Sequence, residues 1–385
     1  MNFRKEAESI KDELIAFRRD IHMYPEASMM EFRTTDKICE KLDEFAIPYR
    51  RIEPAGVIAD IKGAKPGKTI AIRADIDALS IAEKTGLPFA SVNEGLMHAC
   101  GHDTHATMLM GAAKILNQHK DELCGNVRLF FQPGEEVCQG AKAIIAQGGM
   151  EGVDAAFMIH NGTMMPAGAV ILTKGPSHAA TDSFKIKVTG KTSHGAAPQV
   201  GKDAIVAASA IVMALQTMVS RWTTPTDPLV VTVGKFHAGS RFNIISGYAE
   251  LEGTCRSYDV ELHHSIPAKM EEIAKNTAAA YGCTAEVEYL MMCEPLINDD
   301  AMIALAKKAA AKVVDSPDMV LDGIAQMGGE DFSEYSVLVP GCFASLGQGG
   351  ELPNHHECVI HDENTFPIGT ALYCQVAYDY LNGEE

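Results

Sequence analysis

The sequence predicts an α/β protein of two domains, the first interrupted by a smaller α+β unit. Three observations predict it. The chain has 385 residues, more than one core usually supports. Short apolar runs alternate with helical patterns on both sides of a central stretch. Within that stretch the order becomes strand, helix, two strands, helix, strand.

Taken in order, residues 5–24 place Ile10, Leu14, Phe17 and Ile21 at helical spacing, and Pro25 ends the run. Residues 69–74 (TIAIRA), 127–131 (VRLFF) and 155–159 (AAFMI) read as buried strands. Helical patterns over 104–116 and 141–147 separate the later ones. From 183 to 188 the sequence alternates (SFKIKV), the mark of a half-exposed strand. A helix over 203–219, strands over 229–235 and 248–256, a helix over 266–281 and a strand over 286–290 complete the insertion. Helix and strand then resume, with 342–346 as another buried strand. The predicted division is 1–182 and 296–385 for the first domain and 183–295 for the insertion.

Composition excludes several classes. A hydrophobic fraction of 46% with 22% charged residues is that of an ordinary soluble globular protein. The net charge of −18 disfavours nucleic acid and anionic membranes as partners. The charged start (Arg4, Lys5, Glu6, Glu8) does not read as a secretory signal. The apolar run 204–215 is too short to span a bilayer and fits a buried helix. Ten cysteines without C-x-x-C pairs then read as reduced thiols in a cytoplasmic protein.

The chemistry concentrates at strand ends. Residues 97–105 (MHACGHDTH) pack His98, Cys100, His102, Asp103 and His105 together, all zinc-type ligands. Asp103 also suits a helix N-cap. Residues 131–136 (FQPGEE) put Glu135 and Glu136 just past a buried strand, where open α/β sheets build their sites. The next strand runs into His160, and strand 342–346 leads to a loop carrying His355 and His356. Two adjacent carboxylates can divide labour: one stays ionised on a metal, the other moves a proton between water and a leaving amine. Serine-nucleophile, H-E-x-x-H, P-loop and dinucleotide-binding motifs are missing.

These segments resemble the metal-dependent aminoacylase and carboxypeptidase amidohydrolases. The resemblance is to the branch of hippurate hydrolases, N-acetyl-diaminopimelate deacetylases and plant auxin-conjugate hydrolases. It spans essentially the whole chain, through Arg18-Arg19-Asp20-Ile21-His22, Arg73-Ala74-Asp75-Ile76-Asp77, CGHDTH, Gln132-Pro133-Gly134-Glu135-Glu136, His194-Gly195-Ala196-Ala197-Pro198 and Gly329-Glu330-Asp331-Phe332. It implies a mixed-sheet, phosphorylase/hydrolase-like di-metal domain with a ferredoxin-like inserted lid or dimerisation domain. The implied activity is cleavage of N-acyl amino acids with two divalent ions per subunit, manganese or zinc, cobalt or nickel also fitting; the alternatives are a dipeptidase or aminopeptidase of the same family, or a non-catalytic metal-bound binding protein. Cys100, His102, Glu136, His160 and His355 match the metal ligands. His355 is chosen over His356 by its distance to Asp362-Glu363. Glu135 matches the general acid/base. His194 matches a residue that reaches the partner subunit's site in a homodimer and stabilises the oxyanion. Asn243 and Arg256 match residues that hold the substrate carboxylate. One departure is Asp75, where the wider family has a metal-binding histidine; the branch shares it. Ser80 and Ser246 stand where the branch usually has proline, in loops that shape acyl preference.

Overall fold

The computed structural model describes residues 1–383. The chain divides into two compact units. One comprises Met1–Ser177, Ile297–Ala325 and the chain from Asp331 on; the other comprises His178–Leu296 and Gln326–Glu330. The boundaries thus fall at 178 and 296 rather than 183 and 295. The short return over Gln326–Glu330 has no signature in composition.

The first unit is built on an eight-stranded mixed sheet. Its order is Tyr49–Arg51, Val57–Lys62, Cys124–Gln132, Lys65–Asp75, Ala155–Thr163, Gly341–Gly349, Val170–Leu172 and Val320–Asp322. The four central strands, Cys124–Gln132 to Gly341–Gly349, run parallel to one another. Parallel strands are covered on both faces, which explains their apolar runs; Ile70, Ile72, Phe131, Phe157 and Ile159 are all buried. Helices His102–Gln118 and Phe366–Asn382 pack on each other and on Lys65–Asp75. They approach closely enough that a Cβ on Gly369 would lie 2.0 Å from Met108 Sδ. Because the central strands are parallel, their carboxyl ends share one edge. Asp75, Gln132, His160 and Gly349 lie at or near those ends.

A buried ionic network braces that edge. Arg73 donates from Nη1 to Asp75 Oδ2 (2.7 Å), from Nη2 to Asp331 Oδ1 (2.6 Å) and from Nε to Gln132 Oε1 (2.9 Å). Gln132 Nε2 returns to Asp331, and the Tyr335 hydroxyl donates to Gln132 Oε1. Each member is needed, since removing one partner leaves the others charged and dry.

The second unit is a four-stranded antiparallel sheet in the order Leu229–Ala238, Tyr248–Ser257, Thr181–Thr189, Thr284–Cys293. Helices Ala204–Thr217 and Val260–Ala280 pack on each other and on the sheet. This is the ferredoxin-like arrangement. Thr181–Thr189 alternates in burial, with Phe184, Ile186 and Val188 inward. At its base His263 Nε2 donates to Asp182 Oδ1 (2.9 Å), and the Tyr289 hydroxyl donates to Asp182 Oδ2 (2.6 Å).

Several local expectations change. Residues 5–24 form two helices, Phe3–Ser9 and Lys11–Met23, because the Ile10 N–H turns back to Ala7 and Glu8. The helix expected from 266 starts at Val260: the Asp259 carboxylate caps it at Leu262 N, and Pro267 sits inside. The apolar helix is longer and less buried than expected. It continues through a π-helical turn to Trp222, and Ala204–Trp222 is long and apolar enough to cross a membrane, although only by length and composition. Ala207, Ala208, Ile211 and Leu215 face the sheet, while Val206, Met213 and Val219 are exposed. Eight of the ten cysteines are free thiols, Cys100 among them; Cys138 and Cys293 are not in that set.

Candidate metal centre

The site begins at the end of Lys65–Asp75. Asp77, two residues on, is buried, and His102 Nδ1 donates to its Oδ1 at 3.0 Å. That bond fixes the tautomer and aims His102 Nε2 away from Asp77. His102 Nε2 is buried without a hydrogen-bond partner, 3.8 Å from Glu136 Oε1, which is also buried without one. Asp77 holds Glu136 as well, its Oδ2 accepting from Glu136 N (3.1 Å) and from Ser28 Oγ (2.6 Å).

Three further ligand types converge there. Cys100 Sγ lies 3.5 Å from His160 Nε2. His160 Nδ1 donates to the Asn161 carbonyl (2.9 Å), so Nε2 carries the lone pair in the neutral ring. His355 Nε2 lies 3.5 Å from Glu136 Oε1, and His355 N donates to the Ala99 carbonyl, tying its loop to the Cys100 segment. The ligand atoms of Cys100, His102 and His160, of Cys100, Glu136 and His355, and of His102, Glu135 and Glu136 each lie within 4.8 Å of one another. The structure therefore brings all five sequence candidates together, with Glu135 beside His102 and Glu136.

The donor chemistry fits divalent cations. Two buried polar atoms that face each other without a hydrogen bond are costly unless a positive charge, a proton or a metal ion, lies between them. Burial opposes charge on His102, yet Asp75, Cys100 and Asp77 outweigh it and raise its pKa well above the ordinary value. Burial likewise pushes the Cys100 thiol well up, so a thiolate here needs a neighbouring cation. Thiolate, imidazole and carboxylate together suit zinc-class ions.

The remaining candidates of the nine-residue motif sort out by their hydrogen bonds. His105 Nδ1 donates to Asp75 Oδ1 (2.5 Å) and Nε2 accepts from Asn161 N (2.9 Å), leaving no lone pair for a metal. Burial lowers its pKa to about 4. His98 is buried and also lowered to about 4, chiefly by burial. Asp103 does not cap the helix. It is buried in an ion pair with Arg18 Nε (2.7 Å) and His22 Nδ1 (2.7 Å), which hold it well below the usual carboxylate range despite burial. His356 instead takes the Cys358 N–H at Nδ1 (3.1 Å).

In the second unit, His194 and Asn243 come together. Short strands Ser193–His194 and Ile244–Ile245 pair, and Gly195 N donates to the Asn243 carbonyl (2.8 Å). Arg256 is apart from them, near the far end of Tyr248–Ser257, where it pairs with Val230. Eight residues of strand put it roughly 25 Å from Tyr248. Within one chain, Asn243 sits beside His194 and Arg256 lies toward the other end of strand Tyr248–Ser257.

Sequence reasoning missed two residues. Asp77 follows a buried strand by two positions, and the strand-end rule that found Glu136 would have found it. Glu31 had no signal. It is buried, and its Oε1 accepts from Gly134 N (2.8 Å) and Met29 N (2.9 Å), bracing the loop that carries Glu135.

Comparison with known proteins agrees with this geometry. Residues 71–379 match the model of peptidase family M20/M25/M40. The chain is 42% identical to an N-acetyl-L-cysteine deacetylase of Bacillus subtilis over 98% of its length and 90% of that protein. It is 39% identical to an N-acyl-L-amino acid amidohydrolase of Geobacillus stearothermophilus, over 76% of this chain and 80% of that one. Among solved structures, a dinuclear metal-binding M20-family peptidase of Bacillus subtilis superposes with a TM-score of 0.86 at 37% identity, covering 97% of this chain and 99% of its own.

Two outcomes follow from the packing. Gly101, between Cys100 and His102, has φ +84°, and a Cβ there would meet Asn161 Nδ2 at 2.3 Å. Gly101→Ala should displace both flanking side chains and lower bound metal, read by elemental analysis; unchanged metal content would contradict this. Glu31 is pushed up to about 7, first by burial and then by Asp77. A raised carboxyl pKa gives stability that is complete below the ordinary value and lost as pH rises through about 7. Glu31→Gln keeps the acceptor oxygen without the charge. In metal-free protein its melting temperature relative to the native chain should rise from pH 5 to pH 8; a constant difference would contradict it.

Proposed function

The chain belongs to peptidase family M20/M25/M40 and is a hydrolase of amide bonds, and from that premise we propose that it cleaves N-acyl amino acids to a carboxylic acid and a free amino acid. One observation carries the reading: the unpartnered, buried His102 Nε2 and Glu136 Oε1 face each other beside Cys100, with Glu135 next to them. The similarity to a deacetylase and an acylamino-acid hydrolase supports the substrate class.

In this reading Cys100, His102, Glu136, His160 and His355 hold two divalent ions, manganese or zinc. Ions so held supply positive charge that activates water and polarises the scissile carbonyl. Glu135 takes a proton from the attacking water and returns it to the departing nitrogen. Asp77 keeps His102 in one tautomer throughout. His194 donates to the oxyanion and Asn243 binds beside it. Arg256 grips the substrate α-carboxylate, for which its planar fork is suited. The separation of Arg256 from His194 and Asn243 supports a homodimer in which the two ends of the inserted unit serve different sites. A mass-spectrometric screen of acetyl-, benzoyl-, phenylacetyl- and long-chain-acyl amino acids tests the assignment, with manganese- or zinc-loaded and chelator-treated protein. Release of free amino acid only by loaded protein is expected; release by rigorously metal-free protein, or from none of the substrates, would overturn it.

Glu135→Gln should keep its metal and lose at least ~100-fold in turnover, the usual contribution of a general base. Glu136→Gln should lose metal. The reverse pattern would exchange their roles. Co-expressing Glu135→Gln with His194→Ala tests action across the dimer. Random pairing makes about half the dimers mixed, each with one intact site, so about a quarter of native activity should return. No recovery from mixed dimers shown to be present would place His194 within its own chain's site.

A further inference from the structure

The second unit holds another cluster of ligand-type atoms. His263 and His264 lie in the first turn of Val260–Ala280, and Glu294 directly follows Thr284–Cys293. The Glu294 carboxylate faces both histidines: Oε2 is 3.1 Å from His263 Nδ1, and Oε1 is 2.8 Å from His264 Nε2. The three ligand atoms lie within 4.8 Å of one another.

What lies behind His263 points to a ligand. The ring is fully buried, and its Nε2 donates to Asp182 Oδ1 at 2.9 Å. Asp182 is itself buried and fixed by the Tyr289 hydroxyl. A buried carboxylate behind an imidazole, fixing which nitrogen faces outward, is the support that metal-binding histidines commonly have. Here it turns Nδ1 toward Glu294 and His264. Access is open, because the His264 side chain is 54% exposed. The charges also balance: two carboxylates, Asp182 and Glu294, surround two imidazoles that are neutral when they bind a metal. Two nitrogens and one carboxylate suit zinc-class ions and not calcium or magnesium, which prefer all-oxygen sets.

We propose that His263, His264 and Glu294 bind one zinc-class divalent ion, separate from the centre at the strand ends. The ion takes the place of the proton that otherwise lies between His263 and Glu294. It thereby ties the first turn of Val260–Ala280 to the chain after Thr284–Cys293. The site takes no part in amide hydrolysis.

The test uses the full-length protein in equilibrium dialysis at fixed free zinc. Native protein is compared with His264→Ala, whose exposed position spares the fold, and with Glu294→Gln. Each variant should bind one zinc fewer per chain, with turnover of N-acyl amino acids unchanged. Because the readout is a difference, it holds whatever number of ions the strand-end centre takes. Cobalt loading gives a second signature. The ion lost in the variants should contribute visible ligand-field bands without sulfur-to-cobalt charge transfer, because no cysteine belongs to this set. Equal zinc binding by native protein and both variants, or a lost ion that carries a thiolate band, would overturn the proposal.

Discussion

The strand-end centre depends on one carboxylate, Asp77. Its two oxygens reach the helix and the loop that carry different ligands: Oδ1 accepts from His102 Nδ1, and Oδ2 accepts from Glu136 N. One buried group therefore orients an imidazole and positions a carboxylate whose ligand atoms face each other. Asp77 is in turn held by Ser28 Oγ, and Glu31 braces Gly134 in the same loop. Beneath them Arg73 satisfies Asp75 and Asp331. The sheet supplies the edge, but this carboxylate layer turns an edge into a site.

The layer also explains how a histidine-rich segment is divided. His102 and His105 lie one turn apart on the same helix, with ring centroids 5.3 Å apart. Spacing alone treats them alike. Asp75 and the Asn161 amide occupy both nitrogens of His105, whereas Asp77 occupies only one of His102. Asp75 thereby orients His105 rather than His102. Cys100 Sγ lies on the same side, 3.5 Å from His160 Nε2.

Much of this was legible in the sequence because it follows from periodicity and from strand ends. Apolar runs located the central parallel strands; the residues just beyond strands pointed to Glu136, His160 and the loop of His355, the dense motif over 97–105 pointed to Cys100 and His102, and the resemblance joined these five into one ligand set. The alternation over 183–188 located an inserted strand with its inward face. What was illegible depends on contacts between distant residues. No local pattern links Glu31 to Gly134, or Asp103 to Arg18 and His22. The break at Ile10 and the early start at Val260 depend on single backbone and capping bonds within otherwise helical patterns. The separation of Asn243 from Arg256 emerges only once strand Tyr248–Ser257 is laid out in register.

The central claim is that Cys100, His102, Glu136, His160 and His355 hold two ions. X-ray absorption at the zinc edge of zinc-loaded protein tests it most directly. The account predicts a sulfur shell at about 2.3 Å beside nitrogen and oxygen at roughly 2.0–2.2 Å. It also predicts a zinc–zinc feature at roughly 3.5–4 Å. The sulfur shell should vanish in Cys100→Ser. A spectrum of nitrogen and oxygen alone, without a zinc–zinc feature and unchanged in Cys100→Ser, would contradict it.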